Sequence, residues 1–150
     1  MRFLHTADWH LGRIFHGMHL TGDQSYILET IEEIIKDEAI EAYIIAGDIY
    51  DRAVPPPEAV ELLGQHLEIV AGDLKIPVIM IAGNHDSAER LNFCSGIMRN
   101  SNLFIYGNPV AKIQEVILED KHGPVRFFPF PYGDPERFRE LYEVSESITH

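Results

Sequence analysis

Apolar residues follow a helical spacing in two segments of the chain. In the first segment they recur every three or four positions, opposite a face of glutamates and a lysine, which predicts an amphipathic helix. Its apolar face comprises Ile27, Leu28, Ile31, Ile34 and Ile35. The second segment begins near Pro57, a residue that suits the first turn of a helix. Its predicted buried stripe comprises Val60, Leu63, Leu67 and Val70.

Three shorter apolar segments alternate with these helices and have the length of strands. They are residues 2–7, 42–46 and 76–82. The last of them is apolar throughout, which is typical of a strand that is buried on both faces. The order strand, helix, strand, helix, strand predicts an α/β fold with a mixed, largely parallel sheet flanked by helices.

The rest of the chain predicts smaller elements. We expect a short helix around residues 88–99 and a final helix capped by Asp134-Pro135. Between them, the predicted strands are LFIY at 103–106, residues 110–118 and residues 125–130. No repeat, linker or low-complexity run is present, so the 150 residues are interpreted as one domain or part of one.

Composition narrows the function classes. The chain is 45% hydrophobic, which supports a real core, and its formal charge of −12 argues against capture of nucleic acid by a broad basic face. Carboxylates that gather around divalent cations would weaken that objection, because bound metal reverses the local charge. There is no apolar signal segment and no run of about 18 apolar residues. We therefore expect a soluble, cytoplasmic protein, in which the single cysteine, Cys94, is buried.

Each of the three main predicted strands ends in a polar motif. Because open α/β sheets collect their ligands at the carboxyl ends of strands, these motifs are expected to meet at one edge. The motifs are Asp8-Trp9-His10, Gly47-Asp48 and Gly83-Asn84-His85-Asp86. Each has a plainer interpretation when taken alone, and Gly47-Asp48 in particular is an ordinary strand-ending turn. Their occurrence together, in order, favours a common site.

The residue types in these motifs suit a transition-metal site. Asp8 and His10 are two positions apart, so in an extended segment they face the same way and can hold one cation. A carboxylate and an imidazole suit manganese, iron or zinc better than calcium. Asp48 has two oxygens and can bridge two cations, and Asn84 offers a neutral oxygen to the second. His85 would diverge from Asn84, which favours proton chemistry over metal binding.

The three motifs, with Asp51 following the second, resemble those of the calcineurin-like metallophosphoesterases. The resemblance implies two divalent metal ions, Mn²⁺ here, which activate water for attack on a phosphodiester. It places Asp8 and His10 on one metal, Asp48 between the two and Asn84 on the other. It further implies that His85 faces the leaving group and that the Asp51 carboxylate orients His85. The alternative for Asp51 is a solvated turn residue.

Three further stretches resemble the DNA-nuclease branch of this superfamily rather than its protein phosphatases. They are MRFLHTADWHLG, GDIYDRAVPPPEA and AGNHDSAERLNF. The resemblance implies a manganese-dependent exonuclease and endonuclease acting on double-stranded DNA ends and hairpins in DNA repair, recombination and replication. It also implies a homodimer that works with a separate ATPase. Two alternatives remain open: a metallophosphatase for small phosphoesters or phosphoproteins, and a non-catalytic assembly module.

The superfamily completes its two metal positions with three more histidines, two of them in a Gly-His-x-His motif that does not occur in this sequence. Residues 1–150 are therefore expected to be the N-terminal part of a phosphoesterase sandwich, truncated before the last ligand motifs. Such a fragment would bind metal weakly or at one position, show little activity and self-associate.

The remaining histidines have other expected places. His66 and His122 are expected at the surface, and His16 and His19 lie in a polar loop where substrate contact is an option. Trp9 and Phe15 could stack on a base, but core packing is the favoured interpretation of both. The other two histidines are His5 and His150.

Overall fold

The computed structural model describes residues 1–109 and 114–143. The strands are β1 (Phe3–Thr6), β2 (Ile14–Phe15), β3 (Met18–His19), β4 (Ala42–Ala46), β5 (Val78–Ile81), β6 (Leu103–Tyr106), β7 (Val116–Asp120) and β8 (Gly123–Phe127). The helices are α1 (Thr21–Asp37), α2 (Pro57–Leu67), α3 (Ala88–Leu91), α4 (Ser95–Met98) and α5 (Pro135–Tyr142). Within the described ranges, no helix is long and apolar enough to cross a membrane.

The central sheet contains four parallel strands in the order β1-β4-β5-β6. Helices fill the crossovers: α1 lies between β1 and β4, α2 between β4 and β5, and α3 with α4 between β5 and β6. In β5, Val78, Ile79 and Met80 are at most 3% exposed, as expected for a strand covered on both faces. The predicted α/β class, a largely parallel sheet flanked by helices, is confirmed. Because the strands run the same way, their carboxyl ends share one edge.

Helix α1 packs against α2 and buries a narrower apolar face than the sequence predicts. Leu28 and Ile35 are buried, whereas Ile27 and Ile34 are 55% and 40% exposed. Ile27 lines an open cavity of about 360 Å³ between α1 and the end of β1. Since β1 is the edge strand of the described sheet, part of the apolar face of α1 extends past the sheet.

Helix α2 is rotated relative to its predicted stripe. Leu63 and Val70 are buried as expected, but Val60 is 48% exposed and His66 is only 2% exposed. The prediction that His66 lies at the surface is wrong, because its Nδ1 lies 2.7 Å from Oε1 of the buried Glu32 on α1. A π-helical segment, Glu68–Asp73, follows α2 and changes the helical phase.

The helix predicted over residues 88–99 is interrupted. Cys94 separates α3 from α4 with a left-handed φ of 58°, and its side chain is exposed rather than buried. The expected burial of Cys94 is therefore wrong.

Strands β7 and β8 form an antiparallel hairpin that packs against one face of the central sheet through Val116, Leu118 and Phe127. The sequence predicted both strands, with somewhat different bounds. Residues 110–113 of the first predicted strand, and His150, lie outside the described residues.

Candidate metal centre

The loops that follow β1, β4 and β5 converge at the carboxyl edge of the sheet. The Asp8 N–H donates to the Gly47 carbonyl at 3.1 Å, and the His10 N–H donates to the Asp48 carbonyl at 2.9 Å. The third loop joins them through the His85 N–H, which donates to Asp48 Oδ1 at 3.0 Å. The three sequence motifs therefore meet in space.

Left-handed turns aim the side chains in these loops. Asp8, His10 and Asp48 have φ values of 56°, 47° and 47°, a region that few non-glycine residues occupy. The side chains of Asp8 and His10 thus approach one another through turns rather than through the extended segment that the sequence suggested. Backbone of this kind persists where the surrounding structure fixes it, and it concentrates at functional sites.

Asp8, His10 and Asp48 form a compact group of potential ligands. One donor atom from each lies within 4.8 Å of the others, and His10 Nε2 is 3.9 Å from Asp48 Oδ2. Two ligands on one cation, with bonds of about 2.0–2.2 Å each, span up to about 4.4 Å, and the distance from His10 Nε2 to Asp48 Oδ2 lies within this span. The spacing and the mixture of carboxylate and imidazole donors therefore fit a divalent transition metal.

Asn84 lies in the turn after β5. Its side chain is exposed, and the next residue, His85, supplies the backbone amide that contacts Asp48. The other group of three potential ligands in the described residues comprises His10, Asp51 and His85.

Asp51 contacts the two histidines through different atoms. Its Oδ1 lies 3.5 Å from His10 Nδ1, while its main-chain carbonyl lies 3.0 Å from His85 Nδ1. The family resemblance implied that the Asp51 carboxylate orients His85, whereas in the structure the hydrogen-bond contact with His85 is made by the Asp51 carbonyl. The Asp51 carboxylate therefore lies beside the His10 ring, although the buried His10 Nδ1 has no hydrogen-bond partner among the described residues.

His85 is exposed and lies with its ring 4.8 Å from that of His10, edge to face. Its hydrogen bond to the Asp51 carbonyl raises the pKa of the imidazole above 6.5, and the nearby Asp48, Asp51 and Asp86 carboxylates add to the effect. In the metal-free chain, a raised pKa increases the protonated fraction of His85 near neutral pH.

Asp86 ties two of the loops together, a role that the sequence did not reveal. Its Oδ2 accepts hydrogen bonds from the Gly83 N–H at 2.8 Å and the Ile49 N–H at 3.1 Å, and its Oδ1 accepts one from the Tyr50 N–H at 2.9 Å. These contacts join loops that are more than 30 residues apart in sequence. Its position in the Gly-Asn-His-Asp motif was a signal, but the motif alone does not show which groups it contacts.

Gln24, near the start of α1, also contacts the first loop, and sequence pattern gives no sign of this. A glutamine in the first turn of an amphipathic helix looks like an ordinary polar position. Only the folded structure brings its amide to the backbone of residues 9–12.

Two arginines add positive charge at the rim of the site. Arg13 Nε lies 3.9 Å from Asp51 Oδ1, and Arg52 Nε lies 4.0 Å from Asp51 Oδ2. Both guanidinium groups are about half exposed or more. They leave donors available for a phosphate group despite the acidic composition of the chain.

The remaining aromatic and histidine residues divide between core and surface. Trp9 packs against the core beside Tyr43 and His66, as favoured from the sequence. Phe15 is 51% exposed, so the expectation that it packs in the core is wrong. It lies on the antiparallel β2–β3 ribbon, which follows the first motif in sequence. His5, His16, His19 and His122 are exposed.

Comparison with known proteins gives one family match and two similar relatives. The family model for calcineurin-like phosphoesterases matches residues 1–146. The chain is 38% identical over 150 residues to the SbcD component of the nuclease SbcCD from Staphylococcus saprophyticus, and 36% identical to that from Staphylococcus epidermidis. Each match covers 100% of this chain and 39% of the relative, so the chain spans about two fifths of the length of these relatives.

Proposed function

Since the chain belongs to the calcineurin-like phosphoesterase family, we propose that it is part of an SbcD-type DNA nuclease that hydrolyses phosphodiester bonds with two divalent metal ions. The single observation that carries this proposal is the convergence of Asp8, His10 and Asp48 donors within 4.8 Å at the carboxyl edge of a parallel sheet. In this family of folds, that edge is where substrate and metal meet.

The proposed ligands are Asp8 and His10 on one metal ion, Asp48 on both, and Asn84 on the other. When bound, two Mn²⁺ ions would supply Lewis-acid activation of water and neutralise charge on the phosphate. The Asp51 carboxylate, 3.5 Å from His10 Nδ1, would orient the His10 ring. The three donors from Asp8, His10 and Asp48 are closer to a complete site than the two from Asp48 and Asn84.

His85 is the proposed general acid. Its exposure lets it reach the oxygen that leaves the phosphorus, and its ring lies edge to face against that of His10, beside the proposed metal centre. The Asp51 carbonyl holds Nδ1, which presents the opposite nitrogen of the ring outwards. Arg13 and Arg52 at the rim are placed to contact the DNA backbone, where hydrogen bonds to phosphate position a duplex without reading its sequence.

The chain is proposed to form the N-terminal part of the phosphoesterase domain. This is supported by the extent of the matches with the longer relatives and by the small number of donors for the second metal. Further ligands would then come from residues outside this sequence, and the isolated 150 residues would bind metal weakly and have little activity. Tight binding of two Mn²⁺ ions by the isolated chain would contradict this proposal.

We also propose that the complete protein is a cytoplasmic homodimer that works with the SbcC ATPase on double-stranded DNA ends and hairpins. Exposed apolar side chains support self-association: Val54, Val60 and Phe93 border a cavity of about 670 Å³ between α2 and α3. Light scattering after size-exclusion chromatography should give the molar mass of a dimer for the full-length protein, and a monomer at micromolar concentration would contradict the dimer.

The test of function uses full-length protein with Mn²⁺ on linear double-stranded DNA and on an aryl phosphate. Cleavage of DNA is expected. Hydrolysis of the aryl phosphate alone would favour the metallophosphatase, and no hydrolysis of either would favour an assembly module.

His85→Ala should abolish DNA cleavage yet leave Mn²⁺ bound, because His85 is proposed to move a proton and not to hold metal. Mn²⁺ binding is measured by isothermal titration calorimetry in the same preparation. A loss of metal that equals the loss of activity would refute the role assigned to His85.

A further inference from the structure

Residues 8–12 form an irregular loop that carries two of the proposed metal ligands, and we call it the Asp8–Gly12 loop. Three of its residues, Asp8, His10 and Gly12, have left-handed φ values of 56°, 47° and 83°. The Asp8, His10 and Leu11 N–H groups bond to the segment after β4, which leaves the Trp9 carbonyl, the Gly12 N–H and a second acceptor position on the His10 carbonyl to be satisfied. These backbone groups therefore need partners from elsewhere.

Gln24 supplies three of these partners from a single side chain. Its Nε2 donates to the His10 carbonyl at 2.8 Å and to the Trp9 carbonyl at 3.1 Å, while its Oε1 accepts from the Gly12 N–H at 3.1 Å. The amide group is planar, and it offers two donors and an acceptor at once. Few side chains could satisfy two carbonyls and one N–H at these positions.

Gln24 is itself held in place. It lies in the first turn of α1, where its backbone N–H donates to the Leu20 carbonyl at 2.9 Å, and its side chain is half-buried. Within the loop, Leu11 is only 1% exposed and packs in the core. The loop is thus fixed by the packing of Leu11 in the core and by the hydrogen bonds of Gln24 on α1.

From these contacts we infer that Gln24 is a positioning residue, which fixes the Asp8–Gly12 loop so that Asp8 and His10 present their donors to a metal ion. The inference rests on the proposed function, since it concerns the same metal centre. Gln24 touches the His10 backbone and not its ring, so it acts on the ligand through the loop. Groups that orient metal ligands in this indirect way typically affect metal affinity by about 10- to 100-fold.

Two variants separate positioning from general stability. Gln24→Ala removes all three hydrogen bonds. Gln24→Glu keeps the shape and the acceptor for Gly12 but replaces the donors with an oxygen that faces two carbonyls. Gln65→Ala is the matched control, because Gln65 is an exposed glutamine on α2, away from the loop.

Three measurements on the full-length protein are made for each variant: Mn²⁺ affinity by isothermal titration calorimetry, the metal-free melting temperature, and hydrogen exchange of the Gly12 amide. In Gln24→Ala and Gln24→Glu the Mn²⁺ dissociation constant should rise by about 10-fold or more. In Gln24→Ala, exchange at Gly12 should also accelerate. The metal-free melting temperatures of both Gln24 variants should fall modestly, because backbone groups lose their partner, but the loss in Mn²⁺ binding free energy should exceed the loss in metal-free stability. Gln65→Ala should keep the melting temperature and the Mn²⁺ affinity of the wild type.

Wild-type affinity for Mn²⁺ in both Gln24 variants would overturn this inference and leave the proposed function intact. A fall in affinity accompanied by an equal fall in metal-free stability in both variants would also overturn it, because Gln24 would then act on the whole fold. Wild-type protein that binds no Mn²⁺ would refute the proposed function together with the inference.

Discussion

Replacing Gly83 with alanine is the sharpest test of how closely the loops approach one another. The φ of Gly83 lies outside the left-handed region, so the backbone itself would accept an alanine. Space would not: an added methyl carbon would lie 2.9 Å from Asp48 Cγ and closer still to Asp48 N and Oδ1. Ordinary van der Waals contact begins near 3.4 Å, so the loop after β4 or the loop after β5 must move.

The cost of Gly83→Ala follows from which atoms are in the way. Overpacking a tight site typically costs about 1–3 kcal/mol, and the upper end applies when the obstacle is backbone rather than the end of a flexible side chain. We therefore expect the free energy of unfolding to fall by about 3 kcal/mol. The Asp48 carboxylate should also be displaced, which should weaken Mn²⁺ binding by about 10-fold or more.

Urea denaturation of the metal-free protein, analysed by linear extrapolation, measures the first effect, and calorimetric titration with Mn²⁺ measures the second. Gly64→Ala is the control, because Gly64 lies within α2 and an added methyl there meets nothing within 4 Å. That variant should gain about 1 kcal/mol from helix propensity. If Gly83→Ala is as stable as the wild type and binds Mn²⁺ equally well, the two loops do not approach one another this closely.

Two further predictions concern buried polar groups. Asp86→Ala leaves the Gly83, Ile49 and Tyr50 amides without their acceptor, so the free energy of unfolding should fall by about 1–3 kcal/mol in urea denaturation; an unchanged midpoint would contradict the role of Asp86. Burial lowers the pKa of His66 below 6.5 despite the adjacent Glu32. The neutral imidazole therefore makes its full contribution to the free energy of unfolding above pH 6.5, and this contribution is lost as the pH falls through the folded-state pKa. Melting temperatures between pH 7 and 5 should therefore fall less in His66→Gln than in the wild type or in the exposed control His122→Gln, and equal slopes would exclude this explanation.

Periodicity predicted the sheet and its helices because each of those features depends on local spacing. The apolar runs at 42–46 and 76–82 contain β4 and β5, and the polar motifs after them lie at the carboxyl edge where such sheets place ligands. Proximity of Asp8, His10 and Asp48 follows directly from parallel strands that are neighbours in the sheet. This part of the site was therefore accessible from sequence.

Long-range pairs escaped prediction because periodicity carries no information about partners. The buried His66 pairs with Glu32, which is 34 residues away in sequence. Asp86 accepts hydrogen bonds from amides that are 36 and 37 residues away. Likewise, which atom of Asp51 faces His85 depends on the turn that the loop adopts. Ile27 and Ile34 are exposed because the width of the apolar face does not reveal how far the sheet extends beneath it.

The central sheet has its strands side by side in the order in which they occur along the chain. The four side chains of this chain that are proposed to hold metal lie at or before residue 84, so a growing polypeptide acquires β1, β4 and β5, and the loops between them, before later segments are made. Folding during synthesis proceeds from the N-terminus, at about 5–20 residues per second. The three proposed ligands of the first cation, Asp8, His10 and Asp48, would then be made early in synthesis, and a metal ion bound by them would stabilise the nascent sheet.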